Sequence, residues 1–72
     1  MLFDKNVFAA NLRAERSRRD MSQSELADRA GVNLATISQY ESGSYVPGGD
    51  KLCSLASALG VTPNDLIGWT AS

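Results

Sequence analysis

The sequence runs to 72 residues, with seven Lys/Arg against eight Asp/Glu for a formal charge of −1, no histidine and a single cysteine, Cys53. A chain of this length closes one core only, burying ~60% of its unfolded surface, and its Cys/His inventory excludes an intramolecular disulfide and a zinc cluster, in keeping with a reducing, cytoplasmic setting. No charged n-region leads into an apolar stretch and no apolar run reaches membrane-spanning length, so signal-peptide and transmembrane readings fail.

The distribution of charge is more informative than its sum. Arg13, Arg16, Arg18 and Arg19 crowd into one stretch, whereas the second half of the chain holds Lys51 alone. The cluster reads either as a solvated helix face with ordinary ion pairs or as a local basic patch on an acidic protein.

Apolar spacing divides the chain into helices, and strand patterning is weak throughout. Over residues 4–19, Phe8, Leu12 and the stems of Glu15 and Arg16 share one helical face, with Asp4 able to cap the start. Ser22-Gln23-Ser24-Glu25 is a capping box, in which the serine hydroxyl and the glutamate carboxylate each take a backbone N–H that a helix start leaves unbonded. A second helix begins there, carries Leu26, Ala27 and Ala30 as its apolar stripe, and stops at Gly31, with Val32 folding back onto the core. Asn33 can cap a short third helix, with Ile37 and Tyr40 inward and Gly43 as terminator. Residues 44–49 form a loop. A fourth helix over 50–59 sets Leu52, Leu55, Ala56 and Leu59 at i, i+3, i+4 and i+7 and stops at Gly60. Cys53, on that helix, is expected to be a small buried hydrophobe. Thr62-Pro63-Asn64-Asp65 is a further start signal, with threonine as cap and proline at the first helical position, leading into Leu66 and Ile67. The prediction is an all-α single domain of five helices.

Two short helices joined by a glycine-containing turn are the helix-turn-helix arrangement, which presents its second helix to a DNA major groove. Small Ala27 lets that second helix cross close to the first, and Ile37 and Val32 bury its inner side, which leaves the outer side free to meet a ligand. Gln23, Leu26-Ala27, Ala30-Gly31-Val32, Thr36-Ile37-Ser38, Glu41-x-Gly43, Pro47 and Leu55-Ala56-x-Ala58-Leu59-Gly60-Val61 together resemble the Cro/cI-type helix-turn-helix family, also called the XRE family. The resemblance spans residues 12–66 and implies a compact lambda-repressor-like fold with the motif at residues 22–43. The implied function is that of a transcriptional regulator specific for double-stranded DNA sequence, with repression at a pseudo-palindromic operator as the leading role.

The same resemblance makes residues 34–42 the recognition helix, with Leu34, Ala35, Ser38 and Gln39 facing base edges and Asn33 at the mouth of the groove. Gln39 suits direct readout, because its terminal amide can donate to N7 and accept from the N6 amine of one adenine, a match worth roughly 1–3 kcal/mol of discrimination; the plain alternative is an exposed helical residue. Leu34 and Ala35 depart from the family pattern, which often has glutamine, serine or arginine there. They can read a thymine methyl by contact, or they mark weak specificity or a protein partner. Gln23 is expected against a phosphate at the start of the second helix, since the capping box needs only Ser22 and Glu25 and leaves the glutamine free. Asn33 is a cap first and a phosphate or base contact second. Arg13, Thr36, Ser42, Ser44 and Tyr45 complete the expected phosphate contacts. Arg16 is expected to pair with Glu41 and to have donors left for a phosphate. Family members usually carry Lys or Arg in the loop after Gly43; this chain has none, so a shallow salt dependence is expected.

Leu66, Ile67 and Trp69 give the C-terminal end more apolar surface than a monomer of this size needs, although Trp69 could also cover the core. Dimerisation through this end would set two recognition helices ~34 Å apart, one turn of DNA. A homodimer on double-stranded DNA is therefore the expected assembly, with neither metal nor cofactor. The competing reading is a protein-interaction module, an antitoxin or adaptor whose Leu34 face docks a protein. An enzyme is not expected, because there is no histidine base, no basic residue near Cys53 and no phosphate-binding glycine loop.

Overall fold

The computed structural model describes residues 4–68, which form five helices: α1 (Lys5–Arg18), α2 (Gln23–Ala30), α3 (Leu34–Glu41), α4 (Gly49–Leu59) and α5 (Pro63–Ile67). The caps read from the sequence start most of them. Asp4 Oδ1 accepts from the N–H groups of Asn6 at 2.8 Å and Val7 at 3.3 Å. At α2, Ser22 Oγ accepts from Glu25 N–H at 3.0 Å while Glu25 Oε1 accepts from Ser22 N–H at 3.2 Å. Thr62 and Asp65 make the same reciprocal pair at α5. There the N–H of Thr62 stabilises the Asp65 carboxylate and holds its pKa below the ordinary value. Asn33 departs from expectation: its backbone takes the extended cap geometry, but its side chain makes no capping hydrogen bond.

Four helices end the same way. A residue with positive φ turns the chain, and the next N–H reaches back to the carbonyl five residues earlier: Met21 to Arg16, Val32 to Ala27, Ser44 to Gln39 and Val61 to Ala56. These are Schellman ends, which satisfy carbonyls that a helix terminus leaves open. The turning residue is glycine in three of them and Asp20 (φ 51°) in the first. Gly43 has a second reason to be glycine, since a Cβ there would lie 2.9 Å from Asn6 Oδ1.

The core sits where α1, α2, α3, α4 and α5 each contribute one fully buried side chain or more: Phe8, Leu12, Leu26, Ile37, Leu55 and Leu66. Tyr40 packs edge-on to Phe8, with ring centroids 6.0 Å apart and planes at 79°, the favourable arrangement for two ring quadrupoles. Met21 is also buried, because it occupies the position after the turning residue, where an apolar side chain folds back on its helix.

Two expectations are corrected. Cys53 is exposed; it lies outside the Leu52, Leu55, Ala56 and Leu59 stripe that faces the core. Leu66 is fully buried, so it fills the protein's own interior and offers no surface to a second copy. Ile67 beside it is half-buried, and Trp69 lies outside the described residues.

Candidate nucleic-acid interface

The third helix has two chemically opposite sides. Ile37, Tyr40 and Glu41 are buried, whereas Ala35, Ser38, Gln39 and Leu34, the last at 48% exposure, face outward. Positions i, i+1, i+4 and i+5 lie along one stripe of a helix, so the four residues expected to meet base edges are brought together on one accessible face. Thr36, half-buried on its flank, joins Gly31, Val32, Asn33 and Lys51 in lining a shallow recess of ≈ 180 Å³ at the start of α3. Lys51 was not among the expected site residues, although as the lone basic residue after Arg29 it carried a signal.

At the other end of α3, Glu41 gathers groups from two more helices. Its carboxylate is 4% exposed and takes Arg16 Nε at 2.6 Å on Oε2 and Arg16 Nη2 at 2.9 Å on Oε1. This is the planar two-point match that guanidinium and carboxylate favour. Arg16 also donates to the Met21 carbonyl at 2.8 Å, and Arg13 donates to the backbone carbonyl of Glu41. The hydrogen bonds from Arg16 to Glu41 raise the guanidinium pKa above its ordinary value against the opposing effect of burial. With three of its five N–H groups engaged, Arg16 acts first as a structural tie between α1 and α3.

Gln23 does not stand free, which corrects the reading of the capping box. Its Nε2 donates to Glu41 Oε1 at 3.1 Å, and its Oε1 accepts from Ser38 Oγ at 3.1 Å. The amide thus bridges the ion pair to the outward face of α3. Sequence carried no signal for this bridge, since it joins residues fifteen apart and depends on how α2 and α3 cross.

The remaining expected contacts lie around this core of the site. Ser42 and Ser44 share a hydroxyl hydrogen bond at 2.8 Å, Tyr45 is 57% exposed and Arg13 is exposed. The arginine cluster, by contrast, is partly compensated locally. Arg18 and Arg19 both pair with Glu15, at 3.1 and 2.7 Å. Among the described residues, no group of His, Cys, Asp and Glu could hold a metal ion and no helix is long and apolar enough to cross a membrane.

The helix-turn-helix family model matches residues 12–66, most of the chain, and the chain belongs to that family in its Cro/cI-type (XRE) form. No curated protein matches it in sequence. Solved structures similar to it include the restriction-modification controller protein C.AhdI from Aeromonas hydrophila, with a TM-score of 0.84 and 28% identity over 88% of this chain and 96% of that one. The P22 c2 repressor, solved in complex with a synthetic operator, is similar at a TM-score of 0.81 and 31% identity over 85% of this chain and 92% of that one. A hypothetical transcription factor from Neisseria is similar at 0.85 and 30% identity, over 89% and 74% of the respective chains.

Proposed function

We propose that this protein is a transcriptional regulator that binds double-stranded operator DNA through the outward face of α3 and represses from a pseudo-palindromic site as a homodimer. The observation that carries this reading is the exposed stripe of Leu34, Ala35, Ser38 and Gln39 on a helix whose opposite side is locked into the core. Family membership and the likeness to an operator-bound repressor support it. In this reading Gln39 pairs with one adenine, and Leu34 and Ala35 meet thymine methyls. Arg13, Asn33, Thr36, Ser42, Ser44 and Tyr45 hold the backbone, together with the N–H groups that Arg16 and Gln23 have left over. The Asn33 amide, free of capping, suits a phosphate at the start of α3.

Dimerisation falls to the end of the molecule where α5 meets α1. Val7, 42% exposed, lies against Gly68, and half-buried Ile67 adjoins it, which supports a modest apolar contact that forms on DNA.

Selection from a pool of random duplexes tests the whole reading. The expected result is an enriched motif with two-fold symmetry, and Gln39→Ala is expected to relax the preference at one base position in each half. An adaptor or antitoxin that docks proteins through Leu34 would enrich no duplex, and that outcome would overturn the proposal.

A further inference from the structure

The hydrogen bonds that reach Ser38 have a direction, and the direction has chemical content. Glu41, paired with Arg16, is a carboxylate and can only accept. The group facing it from Gln23 must therefore be the amide nitrogen, because a flipped amide would set two acceptors against each other. With Nε2 donating to Glu41 at 3.1 Å, Oε1 is left facing Ser38, and an amide oxygen can only accept. The single O–H of Ser38 is thereby committed to Gln23. What remains on Ser38, an exposed residue on the outward stripe, is a pair of acceptor lone pairs.

A free serine donates or accepts and so tolerates any base edge. We propose that Gln23 is a positioning residue that fixes the polarity of Ser38, so that the serine acts as an acceptor only and selects a base bearing an exocyclic amine. In the major groove that means adenine N6 or cytosine N4 on the strand it meets, against guanine O6 and thymine O4. The inference rests on the DNA-binding reading and adds to it a rule for one base position.

The test repeats the duplex selection with the wild type, Ser38→Ala and Gln23→Met, with thermal unfolding recorded for each. The Ser38→Ala variant is expected to lose preference at one position, where the wild type favours adenine or cytosine by about three- to tenfold, the scale of a single hydrogen bond. Gln23→Met preserves side-chain length but releases the hydroxyl, so it is expected to keep the rest of the motif and admit guanine or thymine at that position. The inference is overturned if Ser38→Ala alters no position, or if the position it alters favours guanine or thymine in the wild type. Uniform weakening by Gln23→Met with the preference intact would also overturn it, since that is the mark of a phosphate anchor. Should Gln23→Met fail to fold, the base preferred at the Ser38 position decides alone. A wild type that enriches no duplex defeats the DNA-binding reading itself, whereas a clear motif with the wrong base there defeats only this inference.

Discussion

Without the Glu41 carboxylate, α1 and α2 would lose their shared partner on α3. Arg16 would be left 19% exposed with its charge uncompensated, and Gln23 would lose the acceptor that orients it. Leaving a fully buried charge unpaired costs about 3–5 kcal/mol, and the half-buried Arg16 loses less than that because water reaches its guanidinium, against a total stability of roughly 4–11 kcal/mol for a chain of this size. Glu41→Ala is therefore expected to lower the melting temperature sharply and to weaken DNA binding with it; thermal unfolding that matches the wild type would refute the tie. The Arg16 and Glu41 pair was legible in the sequence, through the family resemblance. The bridge from Gln23 to Ser38 was not, because side-chain hydrogen bonds between separate helices depend on crossing geometry that no local pattern encodes. Cys53 is a different case: the i, i+3, i+4, i+7 spacing of Leu52, Leu55, Ala56 and Leu59 already leaves it off the inward stripe, and the general tendency of cysteine to be buried yields to that position.

At the scale of the element, the boundaries were the most legible part of the sequence, because caps and left-handed turns have side-chain requirements that are local. Gly31, Gly43 and Gly60 stop helices where their positions suggested. Asp20 was missed as a fourth such turn, since aspartate is an uncommon choice for it. An L-residue held at φ 51° is strained, and a carboxylate just past a helix C-terminus meets the negative end of the helix dipole. Asp20→Gly removes both penalties and gives back part of the gain through a more flexible unfolded chain, for a net stabilisation of about 0.5–1 kcal/mol. A rise in melting temperature measures it, and a fall would show that the Asp20 side chain contributes more than its strain costs. Asn33 illustrates the opposite error: a residue type suited to capping whose side chain does not cap.

For the molecule as a whole, burial pattern and chain order were enough to give the five-helix architecture, while the apolar area at the C-terminal end was not legible in the same way. Leu66 looked like spare apolar area and instead fills the interior. Of the two readings of the arginine cluster, ordinary ion pairing is the one the structure favours, since Arg18 and Arg19 share Glu15 and Arg16 pairs with Glu41. In the proposed reading Arg13 and Lys51, at the two ends of α3, are the cations best placed to neutralise phosphates. Each neutralised phosphate contributes about −0.9 to the slope of log K against log salt, so a slope near −2 per protomer is expected from titrations at several salt concentrations. A slope of about −4 or steeper would mean that cations beyond Arg13 and Lys51 engage the duplex.

The clamp on Glu41 grips α3 by its last turn, and Leu34, Ala35 and the Gln39 side chain take no part in it. The frame that mounts the outward face of α3 and most of the side chains on that face are thus separate sets of residues. In the proposed DNA-binding reading, exchanging those three side chains readdresses the domain to a different duplex sequence while its interior stays as it is. Ser38 alone reaches toward the clamp, and only through Gln23, whose own bond to Glu41 does not need it.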